Sequence, residues 1–414
     1  MKVKKFTVIA TVVTLAAALA GCGSNPGSGA SPAAGADSTG AKVAEVKIGS
    51  IHPISGSSAV EGQQMQDAIQ MAVDEVNAGG GIKSLGGAKV TLVTGDNEMK
   101  AEKGVSEVQR MVREGVVGIL GTYSSGVTLT ATQEAEKQKV PFVVTISSVD
   151  SITERGFKYT FRLQPPASMM AQDFISQFKD LNAKAGGNLK TAVISHEDSI
   201  FGSSIADYIQ KHASEAGLEI LAKMPHPSSA ADLTADVNKM KSLNPDVVIP
   251  ITYLGDGKLL FQSMKNAGFA PKVTIGVANG AISNSKFITE DTGLNQYLLD
   301  VNYSINPKSE KAKTVTAAYA AKYNKGMGPN AAYSYEATKV LIDAIERAGS
   351  TDKTKIRDAL STTDYKDHIL PQDSIVFDEK GQNKNARSVM NQIVDGKSVV
   401  VFPAEYKQVE VTLK

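Results

Sequence analysis

Val117-Gly118-Ile119-Leu120-Gly121-Thr122-Tyr123-Ser124-Ser125-Gly126-Val127-Thr128 is the stretch whose reading decides the fold. Val116 to Leu120 is an apolar run of the kind that makes a fully buried strand, and Gly121 stops it. From Val127 to Lys137 apolar residues recur at helical spacing. Ser124 and Ser125 therefore fall between the carboxyl end of a strand and the amino end of a helix. Free backbone N–H groups and the positive end of the helix dipole meet there, and such a point favours an anion such as a carboxylate. Gly126 lets a ligand come close to the backbone. The same residues also describe an ordinary strand-to-helix turn with a serine cap, so the rest of the chain has to decide between the two.

Working outward, strand and helix patterns alternate. Val46 to Ile51 reads as a strand and Gly62 to Asn77 as a helix, with Met65, Ile69, Ala72, Val73 and Val76 on one face. Val90 to Thr94, Val140 to Val144 and Tyr159 to Arg162 are further strands, and residues 101–113 a helix. The series then begins again. Strands are expected at 191–194, 219–223, 245–250 and 273–276, and helices at 167–181, 201–216, 231–243 and 258–267. Repeated strand–helix units of this length predict an α/β fold of two doubly wound parallel-sheet lobes. Ligands of such sheets sit outside the strand carboxyl ends, so two facing lobes make one cleft.

Both ends of the composition argument are plain. A chain of 414 residues, 42% hydrophobic and of net charge +1, has ample core and no cationic track for nucleic acid. The amino terminus carries Lys2, Lys4 and Lys5, then an apolar run from Phe6 to Ala20. It reads as an export signal, residues 1–21, too short to remain as a membrane span. Leu19-Ala20-Gly21-Cys22 resembles a bacterial lipobox, which implies cleavage before Cys22 and a lipid on its sulfur. Cys22 is the only cysteine, so it makes no internal disulfide. Residues 22–44 follow, rich in Gly, Ser, Ala and Pro over most of their length, and read as a flexible tether to the membrane.

Further residues carry a family resemblance. They are Val46-Lys47-Ile48-Gly49 with Pro53-Ile54-Ser55-Gly56, Asp74 to Ile82, the 121–126 turn, Val140-Pro141-Phe142, Ile146-Ser147-Ser148 with Thr153, and Tyr333 to Ala337 with Glu346 to Ser350. Phe377-Asp378-Glu379 and Gly381 close the set. From about Val46 to Pro403 the chain resembles the leucine/isoleucine/valine-binding type of extracytoplasmic solute-binding protein, which serves an ABC importer. The resemblance implies a type I periplasmic-binding-protein-like fold with three crossings, near 163–165, 300–304 and 386–392. Residues 46–163 with 304–386 would form lobe 1, and 164–303 with 387–414 lobe 2. It also implies that a ligand carboxylate meets Ser125, beside Ser124, and the turn Ile146-Ser147-Ser148, under aromatic cover from Phe201 and Tyr253.

Two departures bear on the solute. The acidic residue that the family uses for a ligand ammonium should fall in Gly276 to Gly280, where Asn279 is the nearest polar group. Glu61 falls near a position the family usually gives to an aromatic, and Asp256 is a third polar candidate. The expected ligand is thus an amino acid or a related carboxylate or amide, and the expected partners are that solute, an ABC permease and the membrane. A sensory lipoprotein of the same fold feeding a separate receptor is the alternative. An α/β enzyme is a further one, but the candidate chemistry is thin. The five histidines (His52, His196, His212, His226, His368) show no metal-ligand spacing, and there is no nucleophile elbow or phosphate loop. No cofactor and no metal is expected.

Overall fold

The computed structural model describes residues 43–413, and the readings of the export signal, Cys22 and most of the tether lie outside them. In the first lobe, β1 (Glu45–His52) leads through a short 3-10 turn into α1 (Ala59–Ala78), then β2 (Lys89–Asp96) and α2 (Ala101–Arg113). Next come β3 (Ile119–Gly121), α3 (Ser125–Lys137), β4 (Phe142–Val144) and β5 (Thr160–Arg162). The five strands form a parallel sheet in the order β2-β1-β3-β4-β5.

The chain then builds α4 (Ala167–Lys184), β6 (Thr191–Glu197), α5 (Ile200–His212), β7 (Glu219–His226), α6 (Thr234–Leu243) and β8 (Val247–Ile251). It continues with α7 (Leu254–Asn266), β9 (Val273–Val277), α8 (Ser285–Glu290), α9 (Thr292–Asn295) and β10 (Leu299–Asn302). After β10 it returns to the first lobe as α10 (Glu310–Tyr323), α11 (Pro329–Ala348) and α12 (Lys353–Ser361), with the short pair β11 (Asp364–Tyr365) and β12 (Ile375–Val376). It crosses a third time to β13 (Val389–Val394) and β14 (Lys397–Phe402). The second sheet runs β14-β13-β10-β9-β8-β6-β7.

Both sheets repeat one winding. In each, the first strand sits between the second and the third, so the order reverses between β1 and β3, and again between β6 and β8. Binding sites of doubly wound sheets lie at these reversals. The strand patterns explain the layers. Val46 and Ile48 point into the core shared with α1 and α11, whereas Ile51 points to the core under α2 and α3. In β6, Ala192 and Ile194 face α4 and α5, and Val193 faces α6 and α7. Near-continuous apolar strands are what two covered faces require.

The second sheet is mixed, which the parallel expectation missed: β13 runs antiparallel to β10 and to β14. Asp395 and Gly396 join β13 to β14 with φ of 48° and 71°. Two left-handed residues in a two-residue loop make the hairpin turn whose twist matches the strands, and Asp-Gly is its usual sequence. Helix starts also moved: α1 begins at Ala59 and α3 at Ser125. Each lobe brings a helix hard against a strand end. A Cβ on Gly62 would lie 1.9 Å from Pro53 O, and one on Gly202 would lie 2.1 Å from Glu197 O.

Arg162, at the end of β5, is 1% exposed. It donates to Val149 O at 2.6 Å, Ser147 O at 3.2 Å, Thr153 Oγ1 at 3.2 Å and Gln382 Oε1 at 2.6 Å. Burial lowers its pKa to about 10, which leaves it charged at neutral pH. Arg162→Met fills much of the same space but strands these acceptors away from water. We expect it to cost about 3 kcal/mol or more in urea unfolding; a loss under about 1 kcal/mol would show that the acceptors find other donors.

Candidate functional site

The two strand-order reversals face one another across a cavity. From the first lobe come Tyr123 and Ser125 after β3, then Ile146, Ser147 and Ser148 after β4. From the second come Phe201 at the start of α5, Thr252 and Tyr253 after β8, and Ala278, Gly280 and Ser283 after β9. Gln164, Asn302 and Tyr303 are contributed by the crossings, and Asn330 by α11. No charged side chain is among these lining residues.

Three buried polar atoms on this lining have no hydrogen-bond partner: Ser125 Oγ, Ser148 Oγ and Gln164 Oε1. Ser125 is the first residue of α3, and the first backbone bond at that end runs from Thr128 N to Ser124 O at 2.9 Å. The N–H groups of the first turn are left for another acceptor. Hydroxyls and amide hydrogens thus converge beside a positive helix end, an arrangement suited to a carboxylate.

The remaining expected residues divide by where their polar atoms go. Ser147 lines the cavity, but its hydroxyl is held by Thr128 Oγ1 at 2.6 Å and lies 3.2 Å from Tyr123 O, so it shapes the turn. Ser124 precedes α3 and does not itself line the cavity, but its side chain approaches the phenol of Tyr253, which does. Phe201 and Tyr253 both reach the cavity, with ring centroids 5.0 Å apart, and Tyr253 stands 5.3 Å from Tyr123 of the opposite lobe. The aromatic cover therefore already spans the cleft.

Three of the polar candidates do not line the cavity. Asn279 is fully buried, accepts from Ala281 N and Ile282 N at 3.0 Å, and donates to Thr252 Oγ1 and Pro250 O. The oxygen closes the turn after β9 and the nitrogen ties that turn to the end of β8, so the side chain has no atom left for a solute. Asp256 is neither a cavity residue nor in a solvated loop: it is buried in the first turn of α7, 3.2 Å from His226 Nε2. Burial raises its carboxyl pKa. Glu61 instead reaches across the lobes. Its Oε1 accepts from Asn284 Nδ2 at 3.1 Å, and burial pushes its carboxyl up to about 7. Asn284 is fixed in that orientation because its Oδ1 caps α8, accepting from Lys286 N and Phe287 N.

The residues that sequence reasoning passed over are mainly those of the crossings. Gln164 immediately precedes Pro165-Pro166 in the first crossing, and Tyr303 in the second donates its hydroxyl to Asn330 Oδ1 at 2.7 Å. A crossing expected between two ligand-facing lobes was itself a signal that its polar residues border the ligand.

Residues 45–401 match the periplasmic binding protein family. The chain belongs to the periplasmic binding protein family. A Leu/Ile/Val-binding protein homolog of Brucella abortus (strain 2308) is 31% identical over 378 residues, covering 87% of this chain and 92% of that one. The branched-chain amino acid transporter substrate-binding protein of Streptococcus pneumoniae, solved with isoleucine, superposes with a TM-score of 0.75 at 25% identity, covering 87% of this chain and 100% of that one. A solute-binding protein of an ABC transporter from Rhodopseudomonas palustris BisB5, solved with 3,4-dihydroxybenzoic acid, has the same fold. Its TM-score is 0.74 at 21% identity, with 86% and 95% covered. This periplasmic binding protein is therefore a ligand-binding protein of the branched-chain amino acid transporter type, not an enzyme, and the family is extracytoplasmic. Among the described residues no helix is long and apolar enough to cross a membrane.

Proposed function

We propose that this protein captures a small carboxylate-bearing solute, an amino acid or a related acid or amide, and delivers it to an ABC permease. The observation that carries the reading is the pair of buried, unpartnered hydroxyls, Ser125 Oγ and Ser148 Oγ, in one cavity at the start of α3. A buried hydroxyl without a partner is costly, and a carboxylate accepting from both removes the cost. The isoleucine and dihydroxybenzoate of the two solved neighbours are both carboxylates. Lobe 1 (46–163 with 304–386) takes the solute first. Lobe 2 (164–303 with 387–414) then closes over it through Phe201 and Tyr253. Contacts made to both lobes supply the differential affinity that shifts the population toward the closed form. A lipid on Cys22 and the segment after it hold the protein at the membrane beside its permease; Cys22→Ala should then release the protein from the membrane fraction, and continued retention would argue against the anchor.

Ser125→Ala should lose about 1.5–3 kcal/mol of solute affinity, the contribution of a hydrogen bond to a charged group. The solute is found by thermal unfolding against amino acids, aromatic and aliphatic acids and amides, and the loss is read by calorimetry. Unchanged affinity in the variant would place the carboxylate elsewhere.

Burial of Glu61 between the lobes gives closure a pH dependence, against which the Asn284 bond works. In the closed form the Glu61 carboxyl titrates at about 7, and once the lobes part it returns toward its ordinary 4.5. An acid raised in the closed form binds a proton there, so its contribution to closing is complete below the open-form value. That contribution is lost as pH rises through 7. Solute affinity should therefore fall about tenfold between about pH 6 and about pH 8. Glu61→Gln should flatten the profile, and an equally steep profile in the variant would assign the proton to another group.

A further inference from the structure

Beside the cleft cavity lies a larger one, about 250 Å³ against about 30 Å³, and Ser283 and Asn302 line both. It sits where the second crossing leaves β10. Its walls come from α8 and the turn before it (Ile282, Ile288), the crossing (Ile305, Pro307) and the start of α11 (Met327, Pro329). Asp300 and Asn391 also border it. Most of the free space next to the serine anchors thus lies beyond a partition of two small polar side chains.

Its chemistry differs from that of the cleft. The wall is apolar on one part (Ile282, Ile288, Ile305, Met327) and polar on the rest, and its one acidic group is Asp300, 1% exposed. Asp300 Oδ1 accepts from Asn279 N at 3.1 Å and Oδ2 from Asn302 Nδ2 at 2.9 Å. Each oxygen keeps a lone pair for a further donor. No basic residue borders the chamber, so a buried carboxyl there lacks a cationic partner. Ser285 Oγ, on the same wall, is buried without a partner.

We propose that the two cavities hold one solute, an extended zwitterion of dipeptide size whose carboxylate meets Ser125 and Ser148 and whose ammonium enters the hinge chamber beside Asp300. This rests on the reading of the two serines as the carboxylate anchor. The juxtaposition also accounts for the missing acid after β9. Asn279 closes the turn there, and the carboxyl that receives its backbone N–H, Asp300, faces the chamber instead. The apolar part of the chamber wall accommodates a hydrocarbon body, and the Ser283 and Asn302 side chains form the neck it passes.

The test is calorimetry of the purified protein with leucine, glycyl-leucine, octanoate and 8-aminooctanoate. The two extended zwitterions should bind about tenfold or more tighter than leucine, and 8-aminooctanoate about tenfold tighter than octanoate. Ile305→Trp, which fills the chamber, should remove the advantage over leucine while leaving leucine binding unchanged. Asp300→Asn should bring 8-aminooctanoate down to octanoate. Tightest binding of leucine, or extended ligands indifferent to Ile305→Trp, would overturn this inference while Ser125-dependent binding of leucine still upheld the carboxylate site. Binding of the extended ligands that ignores Ser125→Ala would overturn both.

Discussion

The buried guanidinium of Arg162 joins the fold to the site. It holds the backbone carbonyls of Ser147 and Val149, which carry the turn that presents Ser148, and it holds Gln382, shortly before the third crossing. Gln382 in turn donates to Gln164 O, and Asn383 Nδ2 to Leu163 O, so the first crossing is bonded to the segment that leads into the third. A planar donor with five N–H groups suits this role, because several fixed carbonyls converge on it and a lysine would serve them as a point charge only. One side chain at the end of one strand therefore ties the turn that carries Ser148 to Gln382.

The fold was legible because its rule is local. An apolar strand, a glycine stop and a helix at 3.6-residue spacing recur through the chain, and the second series falls on the same winding as the first. What the chain order did not display was the antiparallel edge of the second sheet. Asp395-Gly396 was a readable turn signal, but it lies at the end of the chain, past the last repeat of the alternating pattern, and Val389 to Val394 alone does not say which sheet it joins.

The site was legible by position and less so by role. Strand ends brought Ser125, Ser148, Phe201 and Tyr253 into one group, and all four line the cavity. Whether a polar residue at a strand end faces a ligand or closes its own turn depends on the next few ångströms of packing. Ser147 and Ser148 are adjacent and identical, yet Thr128 occupies the hydroxyl of the first and nothing occupies that of the second. Asn279 has the same chemistry as a ligand-binding amide and is consumed by its own turn and the end of β8. Sequence spacing carries no information at that resolution.

Electrostatics narrows what such a cavity accepts. Its lining is neutral, but Glu61, Glu197, Asp256 and Asp300 lie buried behind it, and burial raises the pKa of each carboxyl. The Tyr123 and Tyr253 phenols in front of them are raised as well, by burial first and by these acids second. No lysine or arginine stands among the lining residues to offset them. A bare carboxylate would thus be held by hydroxyls and a helix end against a negative background. On the proposed reading of the site, a solute with its own positive charge suits these surroundings better, because it stabilises the ionised form that burial disfavours in each carboxyl. The neutral surface and the buried acids would then act together, favouring a zwitterion over a simple acid.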